Sequence, residues 1–120
     1  MHPESPVVKL LSKLVSIPSI NPSLDQKSVG YGEEPVTAFL EETSQNAGLL
    51  TERQKVKTGR DSLLVRLTPE GEVKYRVLLA PHLDVVPAPI EAFTPKIIGN
   101  QLHGNRDMKI DFRRFFVEKL

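Results

Sequence analysis

The chain has 120 residues, is 39% hydrophobic and 26% charged, and carries a formal net charge of +1. Such a length suits one domain, able to bury roughly two-thirds of its unfolded surface without covalent staples. There is no cysteine, which excludes a disulfide scaffold, a thiol nucleophile and a thiolate zinc site, and the near-neutral balance offers no basic footprint for nucleic acid.

The N-terminal stretch "MHPESPVVKLLSKLVSIPSINP" does not read as a secretory signal, because Lys9, Ser12 and Lys13 interrupt its apolar residues. No stretch has the length needed to span a bilayer. The expectation is a cytoplasmic protein without a membrane segment. Ser5 followed by Pro6 has the form of an N-cap with proline in the first helical position. Val7, Val8, Leu10, Leu11, Leu14 and Val15 then recur at helical spacing until Pro18. The stretch from Pro18 to Gly32 is rich in proline, glycine and serine and reads as a loop. A second helix is predicted from Glu34 to Ala47, with Pro35 near its start, Gly48 just past its end, and Val36, Phe39, Leu40 and Ala47 sharing much of one face.

The period then changes. "LLTERQKV" and "SLLVRL" are strand-like runs separated by the turn signal "KTGRD". "TPEGEV" is a hairpin connection, and "KYRVLLAPHLDVV" begins with alternation and becomes almost wholly apolar, as a strand entering a sheet covered on both faces should. Four prolines between Pro81 and Pro95 make the following segment a loop. "KIIGNQLHG" predicts a short hairpin around Gly99-Asn100. The tail "MKIDFRRFFVEKL" places Met108, Phe112, Phe115, Phe116 and Leu120 on a broad helical face. The fold class expected is α/β, two N-terminal helices followed by a mixed sheet.

His82 and Asp84 stand at the C-terminal end of the strongest predicted strand, the edge at which open α/β sheets build ligand sites. Residues i and i+2 of a strand share a face, so the two side chains should be neighbours. A histidine can ligate a metal through one ring nitrogen while a carboxylate fixes the other. A histidine satisfied by Asp84, with no metal at all, is the plainer alternative for so short a motif.

"LLAPHLDVVPA" followed by "LHGNRDMKI" resembles the signature of the M20 family of zinc metallopeptidases and deacylases, the group of acetylornithine deacetylase and succinyl-diaminopimelate desuccinylase. The loop "SIPSINP" and the helix text "FLEETSQNAGL" also resemble that family, so the likeness extends from Val7 to Lys109. It implies that residues 1–120 are the N-terminal portion of a zinc-peptidase-like catalytic domain, divergent from about residue 105. It further implies a site with two zinc ions in which His82 is a metal ligand, Asp84 its supporting catalytic carboxylate and Asp107 the bridging ligand. The implied reaction is hydrolysis of an amide or peptide bond in a small N-acylated amino acid or peptide.

Departures from the family pattern lie in the second string. Only Asn105 and Arg106 separate Gly104 from Asp107, where the family has four residues, and Ile110 stands where the family has glycine. Losing two residues at strand-like rise shifts the backbone by several ångströms, so a displaced Asp107 is expected. An exposed aspartate between Arg106 and Lys109 is the competing reading of Asp107. The family's general-base glutamate, further carboxylate ligand and final histidine have no counterpart, since the tandem pairs Glu33-Glu34 and Glu41-Glu42 precede the motif and read as a helix start and a solvated face. His2 and His103 read as surface histidines.

This chain alone is therefore expected not to hydrolyse amides. The alternative is a non-catalytic α/β binding or interaction module derived from the same fold. A Rossmann-like nucleotide site finds no glycine-rich loop after a strand. Either way, the apolar strand at Val77 to Val86 is expected to leave an edge that invites self-association.

Overall fold

The computed structural model describes residues 5–24, 32–104 and 109–111, the last three by their backbone alone. Two units divide the chain: Met1–Pro18 with Pro87–Leu120, and Ser19–Val86. Helices and small antiparallel sheets together give the mixed α/β composition expected from the sequence. Among the described residues no helix is long and apolar enough to cross a membrane.

In the first unit, helix α1 spans Pro6–Ser16. Ser5 caps it, its hydroxyl accepting from the Val8 amide at 3.4 Å, and Pro6 occupies the first turn where its missing N–H goes unneeded. Strands β3 (Lys96–Ile98), β4 (Gln101–His103) and β5 (Lys109–Asp111) form an antiparallel sheet in that order. The β3–β4 turn has Gly99 at φ +59° followed by Asn100, the positive-φ glycine that a two-residue hairpin with a primed turn requires. Val8 and Leu102, each 1% exposed, form the centre of the core, with Leu11 and Val15 packed against them. Gly104 lies so close to α1 that a Cβ there would meet Val15 Cγ1 at 2.8 Å.

Lys109–Asp111, the described part of the tail in which a helix was expected, form β5 instead and pair with β4 in the register Leu102↔Ile110. An available strand edge outweighs a helical pattern of side chains, because pairing supplies partners for the backbone at once. Met108, Phe112, Phe115, Phe116 and Leu120 lie outside the described residues.

In the second unit, helix α2 spans Glu34–Asn46. Gly48 at φ +79° ends it in a Schellman motif, with the Leu49 amide donating to Ser44 O at 3.0 Å and the Gly48 amide to Gln45 O at 2.9 Å. Strands β1 (Leu50–Lys57) and β2 (Arg60–Arg66) form an antiparallel hairpin closed by Thr58 and Gly59, close to the expected bounds. The face α2 buries is Val36, Thr37 and Ser44, while Ala47 is exposed and Phe39 and Leu40 are only half-buried. The surface beneath it is polar. Gln45 donates to Thr51 Oγ1 at 2.8 Å, and Arg53 reaches Glu41 at 2.7 Å, Glu34 at 3.0 Å and Asp61 at 3.7 Å.

The largest difference from expectation is at "KYRVLLAPHLDVV", which forms no ladder. From Glu72 to Asp84 the backbone runs without helix, turn or bend, and only Val85 is paired, in a parallel bridge to Ile20. Val77, Leu78 and Leu79 are 85%, 77% and 81% exposed. An apolar run becomes a buried strand only when strands stand on either side of it, and among the described residues it has no such neighbours. The expected mixed sheet is accordingly two separate antiparallel sheets plus this one parallel bridge.

Replacing Leu102 with alanine should open a cavity in the first unit's core and lower stability by about 2–5 kcal/mol. Val7→Ala, at a half-exposed position of α1, should change it by only about 0.5 kcal/mol. Urea denaturation of the two variants against the parent chain measures both.

Candidate functional site

The second unit holds the site around His82. Its foundation is the Ile20–Val85 bridge, in which the Val85 amide donates to Ser19 O and the Asn21 amide donates to Val85 O, both at 3.0 Å. Ser19 and Ile20 are buried. The loop "SIPSINP" and the segment "PHLDVVP", more than sixty residues apart, are thereby fixed side by side.

The bridge sets the Asn21 side chain. Its Oδ1 accepts from the Ser23 amide at 2.8 Å, an Asx turn that orients the carboxamide. Its Nδ2 then donates to Asp84 Oδ2 at 2.9 Å. Asp84 Oδ1 in turn lies 3.1 Å from His82 Nδ1, and the Asp84 carbonyl lies 2.9 Å from the same nitrogen. Both neighbours of Nδ1 are acceptors, so the proton of the neutral ring is assigned to Nδ1. Nε2 is left with its lone pair. The His82 side chain is 84% exposed and that of Asp84 29%.

Electrostatics reinforce this order. The Asp84 carboxyl is held below its ordinary value, first by the Asn21 hydrogen bond and further by its own backbone and by His82. Arg60 lies nearby: it forks onto Glu33, with Nη2 donating to Oε1 at 2.6 Å and Nε at 3.1 Å, and its Nη1 donates to Ser23 Oγ at 3.2 Å. The Glu33 hydrogen bond raises the Arg60 pKa, and the charge of Asp84 adds to the effect.

The expectation that His82 and Asp84 are neighbours is met, although on an unpaired segment rather than on a strand of a sheet. Asp107 lies outside the described residues, as does His2. His103 is in β4 of the first unit and half-buried. Glu33, expected only to start a helix, is buried and bound to Arg60, and Glu34 and Glu41 hold Arg53. Asn21, Ser23 and Arg60 carried little sequence signal. Asn21-Pro22 marks a turn, but nothing local points its amide at a residue so distant in the chain.

Among the described residues no group of three or more His, Asp or Glu side chains converges to hold a metal ion. The donor chemistry of His82 nevertheless fits one zinc ligand: a single free Nε2 faces solvent while a carboxylate and a carbonyl fix the opposite nitrogen. No protein-family model, curated protein or solved structure matches the chain.

Asn21→Ala should raise the Asp84 pKa toward its unperturbed value, because the leading cause of the depression is removed. The sign follows from linkage. A depressed native pKa contributes stability that is present above the unfolded value and lost as pH falls through the folded one, so near neutral pH the parent chain should hold a stability margin over the variant that shrinks on acidification. Carboxyl-carbon NMR titration of Asp84 measures the shift, and acid unfolding of the two proteins measures the margin.

Proposed function

We propose that this chain carries the first part of an M20-like zinc hydrolase site within a zinc-peptidase-like catalytic domain of cytoplasmic location. The supporting observation is the chain of contacts from Asn21 through Asp84 to His82, which leaves Nε2 with the one free lone pair of the ring. In this reading His82 ligates zinc through Nε2, and Asp84 fixes the tautomer and orientation of the ring. Asp107 contributes the bridging carboxylate. Zinc bound there would supply a hydroxide nucleophile and polarise the scissile carbonyl of an amide or peptide bond. Substrates would be small N-acylated amino acids or peptides.

Asn21 acts through Asp84, keeping the carboxylate ionised and aimed so that His82 cannot turn Nδ1 outward. Arg60 contributes positive charge behind Asp84 while Glu33 neutralises its other face. Catalytic zinc sites use three protein ligands and a water, and His82 with Asp107 makes two. Zinc binding by this chain is therefore weak, and hydrolysis by it alone is absent.

A non-catalytic interaction module derived from the same fold is the second reading. It is favoured by the bare apolar side chains of Val77, Leu78 and Leu79. Such a module would be indifferent to metal ions and chelators.

Zinc titration of the chain at neutral pH, followed by the ring resonances of its three histidines, separates the two. The hydrolase reading expects selective shifts of His82, abolished by His82→Ala and reversed by chelator, with N-acetyl amino acids cleaved no faster than in buffer. An unperturbed His82, or shifts no larger than those of His2 and His103, would overturn it.

A further inference from the structure

The segment from Lys74 to Asp84 has a second property, independent of the metal-site reading. Backbone groups of an extended chain alternate between its two edges. Val85 directs its amide and carbonyl at Ser19 and Asn21, so the odd-numbered residues 77, 79, 81 and 83 address that same edge. The even-numbered residues 74 to 84 address the opposite one. Among the described residues no backbone–backbone hydrogen bond involves residues 74–84. Pro81 and Pro87, which lack an N–H, both fall on the Ile20 side. The opposite edge therefore presents donors and acceptors without a proline gap, the Asp84 carbonyl alone being shared with His82 Nδ1 at 2.9 Å. The segment also lines, together with β2 and with Glu33, Leu40 and Ser44, a groove of about 1490 Å³.

The charges choose the occupant. Lys74 and Arg76 lie at one end of the apolar run and Asp84 at the other. Parallel pairing of two copies in register would set Arg76 against Arg76 and Lys74 against Lys74, which is repulsive. Antiparallel pairing with Leu79 opposite Leu79 sets Lys74 opposite Asp84 at both ends. It also places Tyr75 opposite Leu83, and Leu78 opposite Ala80. In that register the hydrogen-bonded pairs are all even-numbered, Arg76 with His82 and Leu78 with Ala80, so neither proline interrupts the ladder.

We infer that a second copy of this chain docks on the even-numbered edge of residues 74–84, forming a two-fold antiparallel pair centred on Leu79. The pair is closed. Its outer edges are the odd-numbered ones, where Ile20 covers Val85 and the prolines withhold donors, so addition of further strands is blocked. Val77, Leu78 and Leu79 gain cross-strand neighbours in place of water.

The chain has no cysteine, so one introduced thiol reports the register directly. Leu79 faces itself in a non-hydrogen-bonded pair, with Cα atoms roughly 4.5 Å apart, within the span a disulfide accepts. Val77 is staggered from its own copy by four residues, about 13 Å at strand rise. On mild oxidation of the full-length chain, Leu79→Cys should give covalent dimer at least tenfold faster than Val77→Cys or Ala80→Cys. Light scattering should show the parent at twice the monomer mass. Leu78→Pro, which deletes a donor on the pairing edge, should return it to the monomer mass, whereas Val77→Pro, with its lost N–H on the other edge, should not. A monomeric parent, open-ended assemblies, fastest cross-linking at Ala80, or equal behaviour of the two proline variants would each overturn the inference.

Discussion

Two backbone hydrogen bonds between Val85 and the Ser19–Asn21 stretch organise everything chemical in the second unit. Each contributes a net of only about 0.5–1.5 kcal/mol, yet together they fix the position of Asn21 against Asp84. The Asx turn at Asn21 directs its amide, the amide holds the carboxylate, and the carboxylate turns the His82 ring. Each step uses a short polar side chain with few rotamers. Little conformational entropy is lost in ordering the series, which favours a single direction for the exposed His82 ring.

A second set of polar contacts holds α2 against the β1–β2 hairpin. Arg53 gathers Glu34, Glu41 and Asp61, and Arg60 forks onto Glu33. The outer pairs, such as Arg66 with Glu52 at 3.5 Å, are worth little, since water screens them and long side chains must be ordered. Glu33 is different because it is buried, where polar oxygens left without donors are costly. Arg60 meets them with a planar fork. The same arginine places positive charge near Asp84, so the contact that secures the helix start also supports the site.

Apolar surface is distributed unevenly. Val8 and Leu102 are enclosed in the first unit, while the most hydrophobic stretch of the sequence stays in water. Burial of a strand on both faces requires neighbours that the strand itself cannot supply. A bare apolar edge invites pairing, and Pro81 and the charges at the ends of the segment restrict what can pair with it.

Much of the local structure was legible in the sequence. Ser5-Pro6 started α1, Gly48 ended α2, Gly59 and Gly99 closed their hairpins, and His82 lay beside Asp84. These features depend on a few adjacent residues, whose φ preferences and capping groups act the same way in any fold. The structure alone decided the rest: the polar face of α2, the pairing of Lys109–Asp111 with β4, the reach of Asn21 and Arg60 into the site, and the exposure of Val77–Leu79. Each depends on which distant segment arrives alongside. Periodicity shows that a run is fit to be buried, but only a tertiary neighbour can bury it, and a polar side chain acquires its role from a partner that sequence spacing does not reveal.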